Sequence, residues 1–477
     1  EMSASLVGSE MCIRDRAGGL LFTGCQNEEA PAVKFAVNEL VSGDSLTVFP
    51  GQQLALSYSA ENMTNLEVGT LPDNWKAEVD PQSSKILITA PVAEAREGVY
   101  PVILLANGNG SVASFTVMVE LEMYDRSKGV FVLNEGNMTT ENGSLSYISP
   151  SGTVVADAYK TSNGTELGNV CQDMSVSGGL LYIISQNGDL APTGAQFNND
   201  GMLVIADART LQKKNAFSRA ELAQLEWPTH IAALDKQHVY IRDKKGIWRL
   251  DTESRQLTFV EGSEGAPQAP FVMMNGKVYT YYSSSYLGYI WEISPDADQI
   301  SKIRLPMYGT KYDINSVLGI RAVGENEFWV VAHGFGNYSV GKYNLETKKI
   351  VQKRIEGAPD VASSGAIFTT SGNQFYYASG TTIFKVSFDD EASGEEFFAD
   401  VNSFGNKARM LYNGIAVHPV TGKLYVNTIK EYQTYTENNI WVVDVAVQDT
   451  VAHYDNVTRF PAGFYFSESA NINNIRH

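Results

Sequence analysis

From residue 128 onward, short hydrophobic runs come in pairs separated by polar turns. The first members read VFVLNEG (130–136), LYIIS (181–185), VYIRD (239–243), VYTYY (278–282), FWVVAHG (328–334), FYYASG (375–380) and LYVNTIK (424–430). Their partners read SLSYISPSG, MLVIADART, GIWRLDTES, YIWEISPDA, VGKYNLETK, TIFKVSFDD and IWVVDVAVQ. Counted from 130, 181, 239, 278, 327 (Glu327, just before FWVVAHG), 375 and 424, the steps are 51, 58, 39, 49, 48 and 49 residues. Runs of this length, rich in β-branched and aromatic residues, predict strands. A step of 40–50 residues with four strands per unit predicts a β-propeller. Its blades each have apolar faces that only ring closure buries. An apolar segment precedes six of the seven pairs and supplies the innermost strand. The first pair lacks one, and RFPAGFYFSES (459–469) supplies it from the far end. The expectation is a seven-bladed propeller over 126–477, closed by the C-terminal strand, with the fold complete at that end.

Residues 33–124 alternate with period two instead. The segments are 45–60, 65–72, 85–91, 98–110 and 111–123, divided by Pro50-Gly51, Pro72-Asp73-Asn74 and Asn107-Gly108-Asn109-Gly110. Six or seven short strands in about ninety residues predict an immunoglobulin-like β-sandwich over 26–125. It lacks the Cys…Trp…Cys signature, and Trp75 is expected in its core. The fold class is therefore all-β, a sandwich followed by a propeller. The sandwich reads as a spacer in preference to a binding module of its own.

Charge sharpens the division. The 477 residues carry a net charge of −18, and residues 26–125 alone hold 14 acidic and 4 basic side chains. Such a chain repels phosphate backbones and anionic membrane surfaces, which excludes general nucleic-acid binding. No run of about 18 apolar residues spans a membrane. The cysteines, Cys12, Cys25 and Cys171, fit no zinc or redox spacing.

AGGLLFTGC (17–25), followed by Gln26, Asn27, Glu28 and Glu29, resembles a bacterial lipobox with an acidic export tag. The resemblance implies that Cys25 is lipidated and that the protein sits on the outer membrane, exposed at the cell surface. Phe22 stands where leucine is commoner. Residues 1–16 are polar, interrupt the apolar stretch and resemble translated adapter sequence. They are set aside, leaving 1–25 as a residual signal peptide.

Leu424-Tyr425-Val426-Asn427-Thr428, after His418-Pro419 and Thr421-Gly422-Lys423, resembles the YVTN-type repeat of YncE-like propellers. The stretches 131–137, 143–147 and 168–174 resemble the opening of a family of surface lipoprotein propellers that includes the BtuG-type corrinoid-capture proteins. Together these cover about 350 residues. The resemblance implies capture of a corrinoid (cobalamin) and transfer to a TonB-dependent outer-membrane transporter. The loop at 186–201 and the N-terminal sandwich depart from the family pattern.

Catalytic signatures are absent: no G-x-S-x-G, P-loop, H-E-x-x-H or Rossmann fingerprint occurs. No pair among His230, His238, His333, His418, His453 and His477 has ligand spacing on one element. His230 and His418 fall on expected inner strands and read as hydrogen-bonded ring residues. The expectation is no enzyme, no metal and no resident cofactor, with cobalamin as a transported ligand. The loops between second and third strands are rich in Tyr and Asn. They offer a binding face formed by Asn137, Met138, Asn187, Phe197, Tyr282, Tyr286, Phe335, Tyr338, Tyr432 and Tyr435. Tyrosine gives broad contact at low entropy cost, and amides supply paired donors and acceptors. The same composition suits a glycan or a partner protein, so an adhesion or scaffold role and a glycan-binding role stand as alternatives. A hydrolase or lyase with a site shared between blades is a third.

Overall fold

The computed structural model describes residues 31–40, 45–284, 286–306, 314–362, 365–388, 395–405 and 408–466. The lipobox with Cys25, the segment 1–16 and the residues after 466 lie outside these.

Seven four-stranded antiparallel sheets occupy the chain from Val130 to Tyr465. Six follow chain order, and their first strands are Asn169–Ser177, His230–Ala233, Val272–Met274, Ser316–Val323, Phe368–Ser371 and Met410–Val417. The remaining sheet runs Pro461–Tyr465, Val130–Asn134, Ser144–Ile148, Val154–Val155, so the last described strand begins the first blade. Ring closure by the C-terminal strand is therefore observed. The first strands lie against one another: Pro461–Tyr465 touches both Asn169–Ser177 and Met410–Val417. Side chains bind across these joints. The Tyr465 hydroxyl donates to Asp173 Oδ1 (2.9 Å) and Ile231 N–H to Asp173 Oδ2 (3.0 Å). Ala233 N–H donates to Ser175 Oγ, and Val417 N–H to Thr369 Oγ1. The three backbone N–H groups thereby gain a partner that a buried strand edge would otherwise lack.

Residues 34–121 form two further four-stranded sheets. One orders Lys34–Val37, Gln53–Glu61, Lys85–Thr89, Lys76–Asp80; the other Ser45–Val48, Ser111–Leu121, Gly98–Gly108, Asn65–Val68. Ser45–Val48 runs parallel to Ser111–Leu121. The alternation read from sequence becomes a shared core: Ile86, Ile88, Val102, Leu104, Val117 and Val119 are fully buried between the sheets. Trp75 is buried there too, with its ring 5.3 Å from Tyr100. Eight strands exceed the six or seven expected. The additional ones, KFAV and KAEVD, are short or polar and carry a weak pattern.

The sandwich is joined to the propeller through aromatic packing. Phe49, Tyr124, Phe131 and Tyr147 belong to one buried cluster with residues of the first two blades. Phe49 stacks on Tyr124 (5.3 Å, 20°) and meets Tyr147 edge-on (5.3 Å, 68°). Pro50 C=O accepts from Ser162 Oγ (3.0 Å) on the short helix Ala158–Asn163. Tyr124 N–H donates to Arg209 C=O, in the turn between the third and fourth strands of blade two. The joint thus lies at the end of the ring that carries those outer turns.

Candidate functional site

In each blade the turn from second to third strand points to the opposite end of the ring, because antiparallel strands reverse at every turn. The ten residues singled out from sequence all lie in or beside these turns, on the end away from the sandwich joint. Their settings differ. Met138, Tyr286, Phe335 and Tyr432 are exposed, Tyr286 and Phe335 by 74% each. Phe197 is half-buried, its N–H bonded to Asp189 C=O. Tyr282 belongs to the strand Lys277–Ser284 and stacks on Trp291 at 4.3 Å. Tyr338 belongs to Asn337–Asn344 and packs against His333 at 4.6 Å. Asn187 is fully buried within Leu180–Gly188.

Four of the ten meet where blades seven, one and two adjoin. Asn187 Nδ2 donates to Asn169 Oδ1 (2.7 Å), and Asn169 Nδ2 donates to the carbonyls of Asn137 (3.2 Å) and Glu141 (2.7 Å). Asn137 Oδ1 accepts from Thr139 N–H and Oγ1, which shapes the turn. The Tyr435 hydroxyl sits within hydrogen-bond reach of Glu141 and Asn137, and burial with the Glu141 charge raises it. Tyr435 stacks on Phe460 (4.1 Å, 18°), Phe460 contacts Tyr412 (5.5 Å), and Tyr412 meets Tyr432 edge-on (6.1 Å). These four rings form a continuous aromatic wall.

Glu135 stands beside that wall. Its N–H donates to Phe460 C=O (2.8 Å), and its Oε1 accepts from Asn413 Nδ2 (3.0 Å). Among the described residues no Lys, Arg or His lies within ion-pair distance of it. Burial pushes its carboxyl up to about 8. The Asn413 contact exists because the inner strand of blade seven bulges: Leu411 pairs Thr428 and Ile415 pairs Val426, so Tyr412–Gly414 face Asn427 alone. Asn427 is buried, and neither its amide oxygen nor its nitrogen has a protein partner.

Sequence reasoning missed Glu135, Tyr412, Asn413 and Phe460. Tyr412 and Asn413 sit in an apolar stretch that reads as plain strand. The available signal was Asn413-Gly414, a pair that favours turns and bulges. Other chemistry is sparse. Among the described residues no three or more His, Cys, Asp or Glu side chains converge on a metal-sized site. His230 is buried at the head of its strand, its Nδ1 3.0 Å from Thr229 Oγ1, and burial with Arg242 lowers it to about 3. His418 lies just past its expected strand, where Nδ1 accepts from Val420 and Thr421 N–H and caps a turn. Cys171 is a buried free thiol.

The model of one family, described as a domain of unknown function (DUF5074), matches residues 128–467. The chain belongs to this family. The DUF5074 match spans all seven propeller sheets and leaves the sandwich outside. No curated protein sequence matches the chain. Among solved structures, a quinoprotein alcohol dehydrogenase-like protein from Bacteroides thetaiotaomicron superimposes with a TM-score of 0.56 at 14% identity, covering 91% of this chain and 99% of that one. A protein from Lactobacillus plantarum gives 0.45 at 13%, covering 72% and 99%. TolB from Acinetobacter baumannii gives 0.39 at 10%, covering 78% and 81%. At 14% identity the first of these likenesses speaks to the fold alone. No helix among the described residues is long and apolar enough to cross a membrane.

Proposed function

We propose that this DUF5074 propeller is a ligand-capture protein of the cell surface, anchored through a lipid on Cys25 and binding with the end of the ring away from the sandwich. The observation that carries this reading is the aromatic wall Tyr432–Tyr412–Phe460–Tyr435 beside the amides of Asn137, Asn169, Asn413 and Asn427. Aromatic area joined to a few placed polar groups is what a small-molecule site needs. The sequence likeness to corrinoid-capture lipoproteins supports a corrinoid as the ligand and a TonB-dependent transporter as the acceptor. The sandwich then serves as the spacer that holds the binding end outward.

The test is size-exclusion chromatography of the chain from Gln26 onward with cyanocobalamin, reading visible absorbance. Co-elution of colour with protein supports corrinoid capture. Clean separation removes that ligand and turns the search to glycan arrays. Truncating Tyr432 and Tyr435 together to Ala should weaken a ligand held on this wall by roughly 1–4 kcal/mol, the scale of interface hot spots.

A further inference from the structure

Where blades seven and one adjoin, a cluster of rings and amides surrounds a carboxyl group whose own hydrogen bonding is incomplete. Glu135 makes one side-chain hydrogen bond, to Asn413, and keeps part of its surface open. Burial first, and then the charge of the nearby Glu135 carboxyl, drive the Tyr412 phenol far above its ordinary range. Tyr432 and Phe460 flank Tyr412 on either side. Asn427, across the ladder from the bulge, keeps an unpartnered amide oxygen. The backbone is held in the left-handed region at Asn413 (φ 45°) and Phe460 (φ 52°), the two residues that place the amide and the ring. Phenylalanine rarely adopts that conformation, and such strain gathers at functional positions.

We propose that this cluster binds the alkylammonium group of a cationic ligand, with Glu135 as counter-ion and Tyr412, Tyr432 and Phe460 as the ring wall. A densely surrounded carboxyl without a cation is costly to ionise, and a bound cation removes that cost. Ring faces attract the same charge through their quadrupole, which is how ammonium groups are held in aromatic cages. The net charge of −18 favours approach of a cation to this surface. The proposal rests on the reading of this end as the binding end, and not on a corrinoid being its ligand.

The titratable groups that face Glu135 are Tyr412 and Cys171, both kept neutral by burial; Glu141, elsewhere on the same loop, lies 4.0 Å from Arg459. With the free carboxyl at about 8, loading a cation at pH 7 expels a proton, and affinity rises from pH 7 to pH 9.

The experiment is calorimetric titration of the protein from Gln26 onward with choline and with dimethylbutanol, its uncharged carbon isostere. The expected result is saturable choline binding about tenfold or more tighter than the isostere, stronger at pH 9 than at pH 7. Glu135→Gln, checked for unchanged melting, should erase both the preference and the pH effect. Tyr432→Ala, at an exposed position that cannot disturb the core, should weaken choline binding several-fold. Equal binding of choline and isostere, absence of choline binding, or a preference that survives in Glu135→Gln overturns the proposal. Cyanocobalamin titrated into the same samples separates the two readings: retained corrinoid binding with no choline preference removes the ammonium site and leaves the binding end intact.

Discussion

Phe49→Ala should uncouple the sandwich from the propeller. Phe49 is fully buried, although it lies just past the strand Ser45–Val48. Its ring touches Tyr124 and Tyr147, both fully buried as well. Removing the ring returns roughly 100 Å² of apolar area to water, about 2.5 kcal/mol at 25 cal/mol/Å². The two ring contacts add about 0.5–1.5 kcal/mol each. The sum, about 3.5–5.5 kcal/mol, overlaps the roughly 3–5 kcal/mol of Phe→Ala core truncations. The loss is borne by a joint between two cores, so it should appear as lost cooperativity. Scanning calorimetry of the wild type should show one transition, and Phe49→Ala should show the sandwich melting separately at lower temperature. Limited proteolysis should then cut between Leu121 and Val130. A single transition displaced by less than about 1 kcal/mol, with no new cleavage, would refute the claim that this ring couples the two parts.

Gly51→Ala should damage the same joint by another route. Its φ is +78°, and an added Cβ would stand 2.4 Å from Thr161 C=O, so a melting loss comparable to Phe49→Ala is expected. Tyr465→Phe removes the hydroxyl that donates to Asp173 across the closing blade and should cost about 1–2 kcal/mol in urea unfolding. His230 carries an acid-sensitivity prediction. Its folded pKa of about 3 lies below the ordinary 6.5, so its contribution is whole above pH 6.5 and is lost as pH falls towards 3. Against wild type, His230→Asn should therefore lose less stability between pH 6.5 and 4; parallel profiles would contradict this.

The ring was legible in sequence because each blade repeats the same paired runs, and the search for a missing first strand led directly to residues 459–469. The polar edges of strands were harder to read. Asn187 reads as a loop residue and Tyr282 as the last residue of its run, yet the strands continue through both. Leu180–Gly188 ends only where Gly188 takes φ 62°, and Lys277–Ser284 keeps pairing as far as Ser284 opposite Leu287. The aromatic wall draws Tyr412 from an inner strand, Tyr432 and Tyr435 from one turn and Phe460 from a blade-to-blade link. Residues brought together by ring closure leave no local pattern. Glu135 was hidden for a related reason: in sequence it opens a polar turn, and only the bulge opposite gives it Asn413 as a partner.

The closing strand also fixes when the molecule can become itself during folding. Arg459 N–H bonds Asn134 Oδ1 across 325 residues of chain. Closing a loop that long costs roughly 5 kcal/mol of chain entropy before any of its contacts repay it. Until Pro461–Tyr465 arrives, Val130–Asn134 presents an open, wholly buried-type edge of Val, Phe, Val and Leu to whatever strand it meets. Such an edge pairs with neighbouring molecules as readily as with its own distant end. The closing strand therefore acts as a timer: yield in refolding should fall with protein concentration, and a synthetic peptide spanning 459–466, added in excess, should slow the recovery of native ring by occupying the first blade.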